Sequence, residues 1–402
     1  MTIQDEPSTV SVNVPKCHLH LKPTLSMITV PEKLKASVAK ILEEADITIG
    51  GDKPWDVHIK NDRAYLRVLS SGTLGLGESY MAGDWDCDRL DIAVDKIYKA
   101  HLETYIKKNP RFIAQVISAK IRNYGTKNQI PEIAAHYDLG NDLYEAMLDK
   151  RMAYTCAYWK GAKNLDEAQE NKFDLICRKL ELKPGMTVLD IGGGWGSFIK
   201  YAAEKYGISG VMVSIAKEQV AWAQEACKGL PVECRVQDYR DVTGTFDRVV
   251  SIGLFEHIGP KNYKTYMQVV RRCLKEDGLT LLHTISARRT DPTMDPWIHK
   301  YVFPNGILSS LKQIAEVAED YFVVEDMQNI GANYDLTLMA WYENFEKNWK
   351  GDLEKKYGGE TFYRMWRMYL LTCAGGFRAR ENELYQLVMS PHGVPGGYIA
   401  AR

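Results

Sequence analysis

"LDIGGGWGSF", residues 189–198, places four glycines within ten residues. It joins a short apolar run, "MTVL", to a helical pattern, "FIKYAAEKYG", that ends on Gly207. Its glycines are Gly192, Gly193, Gly194 and Gly196. Without a Cβ they allow positive φ and let a ligand approach the main chain. A helix that starts here would also point free N–H groups at that ligand. The pattern predicts a ligand-binding turn from strand to helix, and a tight turn without a ligand is the alternative.

The spacing of these glycines argues against a dinucleotide. Nicotinamide and flavin enzymes use G-x-G-x-x-G/A, with an acidic residue about 20 residues later that binds the ribose. Here the glycines follow G-x-G-x-G, and the next predicted strand, "GVMVSI", ends at Ser214 and Ile215 without an acid.

The chain after residue 130 alternates between strand and helix patterns. Strands are predicted at 187–192, 210–215, 232–238, 246–253 and 279–285, and helices at 196–206, 217–228 and 261–274. This alternation predicts an α/β fold with a doubly wound, mostly parallel, Rossmann-like sheet that binds its ligand at the carboxyl edge. We expect the remaining residues, up to 402, to exceed what the sheet needs. Among them "DPWIHKYVFPNG", residues 295–306, either covers the crevice or only packs on the domain.

Composition describes an ordinary globular chain and narrows its location. The net charge of −1 gives no bulk attraction to nucleic acid. The eight cysteines form no C-x-x-C pair, which favours a reducing compartment and disfavours a metal site. Because the first ten residues, "MTIQDEPSTV", are polar, we expect no secretory signal, and no apolar stretch reaches the roughly 18 residues that span a bilayer. The expected location is cytoplasmic.

Four regions are predicted along the chain. They are a flexible tail at 1–27, a small N-terminal α+β domain at 28–102, a basic amphipathic linker at 103–128 and a catalytic domain at 129–402. Between residues 96 and 127 eight basic residues accompany a single acid, Glu103. A basic amphipathic helix can lie on anionic lipid, and a linker that packs on the next domain is the alternative.

Acid–base side chains follow two of the predicted strands. Glu256 and His257 come after the fourth strand, and His283 ends the fifth. Both strand ends face the crevice of the glycine loop. An acid and a histidine from adjacent strand ends at a ligand crevice favour catalysis, although a histidine at such a position is often structural.

Several motifs together resemble one enzyme family, the cyclopropane-fatty-acyl-phospholipid synthases. They include "YTCAYW", "KPGMTVLDIGGGWG", "RVVSIGLFEHIGPKNY", "LLHTI", "NYDLTLMAWYENF" and "AGGFRAR". The resemblance runs from about residue 28 to the end and includes "GTLGLGESYMAGDWDCDRLD". The glycine loop alone indicates a methyltransferase fold, whereas the combination indicates this family.

The resemblance implies a reaction. The methyl group of S-adenosylmethionine is transferred to a cis double bond of a phospholipid acyl chain, and the resulting carbocation loses a proton and closes to a cyclopropane. The enzyme must align the alkene, exclude water and supply a weak base. In this family bound bicarbonate is thought to be that base. The matching residues are Cys156, Glu256, His283, the backbone of Ile285, and Tyr334.

The resemblance also implies the cofactor-binding residues. Tyr154 and Thr155 match the methionine end, together with the glycine loop. Ser214, Ile215 and Gln219 match the ribose site, and Asp238 and Tyr239 flank the adenine. The loop set is Asp190, Gly192, Gly193, Gly194, Trp195 and Gly196.

One position departs from the family pattern, and the role of one cysteine is open. The family's loop usually reads G-C-G-W-G, and Gly193 replaces the cysteine here. We expect this change to be tolerated, since the loop works through its backbone, although it can loosen the turn. Cys373 matches a cysteine that is often given as a nucleophile, but the mechanism needs none, so a buried structural role is favoured.

The resemblance further implies a homodimer that associates peripherally with the inner face of the membrane, where its phospholipid substrate lies. A methyltransferase that leaves methyl-branched chains or acts on a soluble acceptor is one alternative. A non-catalytic lipid-binding protein on the same scaffold is another.

Overall fold

The computed structural model describes residues 30–102, 139–291 and 293–402. The predicted tail and the predicted basic linker, including Lys107, Lys108 and Arg111, lie outside these ranges.

The N-terminal region contains four helices and a small antiparallel pair of strands within residues 30–102. Its elements are α1 (Glu32–Glu43), β1 (His58–Ile59), α2 (Arg63–Ser71), α3 (Thr73–Met81), β2 (Trp85–Asp86) and α4 (Leu90–Lys99). The apolar spacing after Pro31 predicts a helix, and α1 confirms it. The mixture of helices and short strands agrees with an α+β region.

The remainder of the described chain builds one large sheet and the helices around it. Its elements are α5 (Asn141–Met147), α6 (Leu165–Lys179), β3 (Thr187–Ile191), α7 (Ser197–Tyr206), β4 (Ser209–Ser214), α8 (Lys217–Ala226), β5 (Val232–Val236), β6 (Phe246–Ile252), α9 (Phe255–Ile258), α10 (Tyr263–Cys273), β7 (Leu274–Ala287), α11 (Pro296–Tyr301), β8 (Ser309–Ser310), α12 (Leu311–Ala318), β9 (Val323–Asn329), α13 (Ala332–Trp349), α14 (Asp352–Tyr357), α15 (Glu360–Arg378) and β10 (Asn382–Ser390). The predicted Rossmann-like alternation is confirmed from β3 to β7.

The sheet order is β5-β4-β3-β6-β7-β10-β9, with β8 paired to the end of β7. β3 to β7 pair in parallel, whereas β10 is antiparallel to both of its neighbours. The chain reverses direction across the sheet between β3 and β6, and ligands bind at the carboxyl edge of such a switch point. We expected the residues after the fifth predicted strand to exceed what the sheet needs, but β9 and β10 come from this part of the chain and complete the sheet.

The N-terminal region shares a hydrophobic core with helices from the end of the chain. Trp85 and Leu90 lie in one buried cluster with Trp341 of α13 and Trp366 of α15. Two further clusters cover the opposite faces of the large sheet. The division into domains stays a prediction, and the shared core shows that the two regions pack extensively.

The glycine spacing of α3 has a packing reason. A Cβ on Gly77 would overlap the indole ring of Trp297, and one on Gly75 would overlap the carbonyl of Arg67. Trp297 is 2% exposed and donates from Nε1 to the sulfur of Met81 at 3.4 Å. Thus α3 offers a groove that receives the ring from α11. Within the described ranges no helix combines the length and apolarity needed to cross a bilayer.

Candidate active site

The glycine loop follows β3 and takes the backbone conformation that glycine allows. Gly192, Gly194 and Gly196 have φ of +79°, +56° and +78°, and Gly196 caps α7. A Cβ on Gly192 would lie 2.9 Å from that of Leu254, so this glycine packs against the loop after β6. A Cβ on Gly194 would meet only Gln219 Oε1, at 3.9 Å. Gly194 is therefore the position where a ligand has room to approach the main chain.

Gly193 is required by packing rather than by its backbone angle. Its φ is not positive, but a Cβ there would lie 2.6 Å from Asp190 Oδ2 and still closer to Met212. Any side chain must displace one of these two buried neighbours. In this chain Met212 fills the space that a side chain at position 193 would need, so the glycine that replaces the family's cysteine suits its surroundings.

Asp190 lies at the carboxyl end of β3, below the glycine loop. It is 1% exposed, and neither carboxylate oxygen has a hydrogen-bond partner among the described residues. Burial raises the pKa of Asp190 to about 7, and the nearby Lys172 cation opposes this rise. Two buried acceptor oxygens without donors fit a ligand that brings positive charge or N–H groups, as S-adenosylmethionine does.

The segment Tyr154–Cys156 lies against the end of β6. The hydroxyls of Tyr154 and Tyr369 are hydrogen-bonded at 2.7 Å. Thr155 is so close to Gly253 that a Cβ on this glycine would come within 2.8 Å of its methyl group. Cys156 is fully buried, its Sγ donates to the carbonyl of Ala157 at 3.3 Å, and burial raises the pKa of the thiol far above its usual value. This cysteine is a protonated donor rather than a nucleophile.

Glu256 lies in α9, directly after β6, where the sequence places it. Its Oε1 accepts the backbone N–H of Ile285 at 2.6 Å, and its Oε2 has no partner among the described residues. Burial raises the pKa of this carboxyl to about 7. Because the N–H of Ile285 already donates to Glu256, this backbone group supports the acid before any ligand is bound.

His283 lies inside β7 rather than at its end, because β7 continues to Ala287. It pairs with Ile252, the last residue of β6, so it still stands at the carboxyl edge of the parallel strands. Gln386 Nε2 lies 3.2 Å from Nδ1 and donates to it, which leaves the proton on Nε2. Nε2 has no partner among the described residues, and burial lowers the pKa of the ring well below its usual value. His283 is thus a neutral donor.

Tyr334 and Cys373 lie on the two long helices beside this group. Tyr334 of α13 is 7% exposed, and its ring is 4.5 Å from that of Phe377 and 5.9 Å from that of Trp341. Cys373 of α15 is half-buried, and its surroundings raise the pKa of the thiol to about 12. A thiol that stays protonated agrees with the structural role favoured by the sequence.

Contacts join most of the predicted residues into one site. Gly192 packs against Leu254, and Thr155 packs against Gly253, whose N–H donates to the carbonyl of His283 at 2.9 Å. The glycine loop, the segment Tyr154–Cys156 and the middle of β7 are therefore all in contact with the loop that joins β6 to α9, at the switch point.

The residues predicted for the ribose and adenine follow β4 and β5 at the same sheet edge. Ser214 Oγ accepts the N–H of Ala216 at 3.3 Å, and the side chain of Ile215 is largely exposed. The Asp238 carboxylate accepts two side-chain hydrogen bonds from Arg240, at 2.9 and 2.6 Å. This ion pair keeps the pKa of Asp238 low and directs its carboxylate towards Arg240.

Tyr239 and Trp195 complete the predicted cofactor set. The ring of Tyr239 lies 5.9 Å from that of Tyr266. Trp195 is 4% exposed, and its Nε1 donates to Asn141 at 2.9 Å. Trp195 therefore ties the glycine loop to α5 with its polar edge already paired.

The insert at 295–306 packs on one side and borders the site on the other. Trp297 fills the groove of α3, and Tyr301 donates to Glu78 at 3.0 Å. The ring of Phe303 lies 5.6 Å from Tyr369 and 5.8 Å from His257. A covering role for this insert stays a prediction.

Two residues of the site were missed by the sequence analysis. Gln386 lies on β10, a strand that was not predicted. Lys172 lies on the buried face of α6, and its Nζ donates to Thr155 Oγ1 at 2.7 Å. The available signal was a lysine that interrupts the apolar stripe formed by Ala168, Leu175 and Ile176.

The comparisons with known proteins agree with this geometry. The chain is 49% identical to the cyclopropane-fatty-acyl-phospholipid synthase of Escherichia coli K12 over 93% of this chain and 98% of that protein. The mycolic acid cyclopropane synthase CmaA1, solved with SAH and CTAB, is 32% identical with a TM-score of 0.60 and covers 64% of this chain and 96% of its own. Coclaurine N-methyltransferase, solved with N-methylheliamine and SAH, is 22% identical with a TM-score of 0.62, over 78% of this chain and 98% of its own.

These neighbours confirm the predicted class I methyltransferase fold. The family model described as mycolic acid cyclopropane synthetase matches residues 125–387. This match spans the glycine loop, the acid–base group and both long helices. The chain therefore belongs to the mycolic acid cyclopropane synthetase family.

Proposed function

We propose that this protein transfers a methylene group from S-adenosylmethionine to the cis double bond of an unsaturated phospholipid acyl chain, which becomes a cyclopropane. The observation that carries the proposal is the contact between two groups of residues. The glycine loop, with the unpartnered Asp190 beneath it, packs directly against the loop that leads to the buried Glu256. Gly253 of that same loop donates its N–H to the carbonyl of His283. A cofactor site next to a buried acid–base pair suits methyl transfer that is followed by deprotonation.

The proposed reaction has two steps, methyl transfer and deprotonation with ring closure. The alkene carbon attacks the methyl group as its bond to sulfur breaks, which gives S-adenosylhomocysteine and a carbocation on the neighbouring carbon. A base then removes one proton from the transferred methyl group, and the released electron pair closes the ring. The sulfonium activates the methyl group, so the chain's own task is to align the two carbons and exclude water.

We further propose that the base is bicarbonate held between Glu256 and His283. A neutral His283 offers its Nε2–H to the anion, and the free Oε2 of Glu256 accepts the hydroxyl of the bicarbonate. The buried thiol of Cys156 and the hydroxyl of Tyr334 are expected to donate to the anion as well. The Ile285 N–H acts indirectly in this arrangement, since it holds Glu256.

The test is a product analysis. The protein is incubated with methyl-labelled S-adenosylmethionine and vesicles of unsaturated phospholipid, and the acyl chains are examined by mass spectrometry. We expect a gain of one CH₂ and loss of the double bond with ring formation. A methyl branch without a ring would support the alternative methyltransferase, and no incorporation of label would support a lipid-binding protein.

We also propose that the enzyme reaches its substrate by docking on anionic membrane through the basic segment. The net charge of −1 provides no general attraction, so the local cations must supply it. Exchanging Lys107, Lys108 and Arg111 for Glu should markedly reduce vesicle sedimentation, at about 1 kcal/mol per basic residue near the surface.

A matched control replaces three exposed lysines far along the chain, Lys312, Lys350 and Lys355, by Glu, which changes the net charge equally. This control should sediment with vesicles like the parent protein. Equal loss in both variants would mean that overall charge, rather than the basic segment, drives docking. No loss in either variant would make the segment a linker.

A further inference from the structure

Lys172 of α6 is a buried cation next to the candidate active site. Its side chain is 0% exposed, and its Nζ lies 2.7 Å from Thr155 Oγ1 and 4.2 Å from the ring centre of Phe173. A charged group inside a protein is costly unless carboxylates or hydrogen bonds compensate it. A buried lysine at this position therefore indicates a specific role for its charge or its hydrogen bond.

α6 fixes the segment Tyr154–Cys156 through two side chains that lie one helical turn apart. Gln169 Nε2 donates to the carbonyls of Ala153, at 3.2 Å, and of Thr155, at 2.9 Å. Lys172 binds the hydroxyl of the same Thr155. Both the backbone and the side chain of Thr155 are thus held from below by α6.

Lys172 is also the cation that faces two buried carboxylates. Asp149 accepts the backbone N–H groups of Arg151 and Ala153, at 2.9 and 2.8 Å, whereas Asp190 has no donor among the described residues. The positive charge of Lys172 opposes the rise in the pKa of both carboxyls, and it also interacts with Cys156 and His283. Lys172 is therefore linked by a hydrogen bond to the segment that carries Thr155 and by its charge to the aspartate beneath the glycine loop.

We propose that Lys172 is a positioning residue, which holds the segment Tyr154–Cys156 in place and favours the ionised form of Asp190, to which the cofactor binds. This inference rests on the proposed function, because it takes the space between these elements as the S-adenosylmethionine site. Without the cation, the pKa of Asp190 would rise further, and Thr155 would lose its hydrogen-bond donor. Both changes weaken the hold on a positively charged ligand.

The contribution of Lys172 to cofactor binding should depend on pH. Burial lowers the pKa of Lys172 to about 8, while Asp149, Cys156 and Asp190 oppose this shift. Below that pH the lysine is charged and supports the cofactor, and above it this support is lost. The α-amino group of free S-adenosylmethionine also titrates, near pH 7.7–8.0. The pH dependence of an absolute affinity therefore contains both the titration of Lys172 and that of the ligand. The ratio of the dissociation constants of a variant and the parent protein cancels the ligand's own titration.

The experiment is calorimetric titration of the full chain with S-adenosylmethionine at pH 7 and pH 9. At pH 7 we expect Lys172→Met to bind at least about tenfold more weakly than the parent protein, which is within the usual range for coupled sites. At pH 9 the ratio should shrink to about twofold, because most of the parent's lysine is then neutral. Lys172→Arg should recover part of the affinity at both values.

The same helix offers a matched control. Lys179 lies two turns further along α6, is also 0% exposed, has a pKa lowered to about 8 and pairs with Asp326 at 3.4 Å, away from the segment. Lys179→Met should bind S-adenosylmethionine like the parent protein. If Lys172→Met does not fold, Lys172→Gln and Lys172→Arg supply the comparison.

The two possible failures can be told apart. If the parent protein does not bind S-adenosylmethionine, the proposed function fails. If the parent binds and the Lys172 variants match it at both pH values, or if Lys179→Met weakens binding equally, the positioning role is overturned.

Discussion

Replacing Gly194 by valine tests the assignment of the glycine loop with a control inside the same chain. Gly194 has φ +56°, and a Cβ there would meet only Gln219 Oε1 at 3.9 Å. Gly185 has φ +86°, with no atom within 4 Å of its ideal Cβ. Valine strains the backbone at both positions, by about 1–2 kcal/mol of folding stability. Only at Gly194 does the side chain extend into the space assigned to the cofactor.

We therefore expect similar losses of stability in urea but different losses of affinity. Gly194→Val should weaken S-adenosylmethionine binding at least about tenfold, or 1.4 kcal/mol of binding free energy, whereas Gly185→Val should bind like the parent protein. Calorimetric titration gives the affinities, and circular dichroism shows that both variants fold. A folded Gly194→Val variant with the parent's affinity would show that the glycine loop does not belong to the cofactor site.

The other predictions concern the acid–base group and the packing of the insert. Glu256→Ala and His283→Gln should each lower turnover by a factor of roughly 10² with little change in cofactor affinity. Cys373→Ser should stay active. If Cys373→Ser is inactive while Glu256→Ala is active, Cys373 would instead be a covalent nucleophile. Because the pKa of Glu256 is raised to about 7 and its carboxylate is the working form, kcat/KM should rise with pH through about 7 and lose this limb in Glu256→Gln; an unchanged profile would contradict the assignment. Trp297→Ala should cost about 3–5 kcal/mol of unfolding free energy and Gly77→Ala about 1–3 kcal/mol; chemical denaturation measures both, and a negligible loss would mean that the groove of α3 is not tightly packed.

Local sequence patterns predicted the parallel half of the sheet but not its antiparallel edge. β3 to β7 are apolar runs that alternate with helical patterns, and this is the signature of a buried parallel sheet. β9 carries the exposed Val323 and Val324 beside acidic residues, so its pattern is that of an edge strand rather than of a core strand. β10 turns the polar Gln386 inward to meet His283, which hides its alternation.

Only part of the candidate active site could be predicted from local sequence patterns. Glu256 and His283 could be placed because they follow strand patterns at a predictable edge. Lys172 could not, because a lysine on a helix is expected in water unless its buried partners are known. The packing demands at Gly77 and Gly193 depend on Trp297 and Met212, residues that are distant in sequence or lie on another strand.

The place of β10 determines when the enzyme can become active during its synthesis. β10 is an inner strand of the sheet, yet it is translated after both of its neighbours. Until β10 has left the ribosome, β7 presents an unpaired edge along the residues that later pair with β10. His283 also lacks its hydrogen-bond partner until Gln386 is made, 103 residues later in the chain. A prematurely terminated chain would therefore carry the cofactor loop without an oriented histidine, so translation itself delays the chemistry until the whole sheet exists.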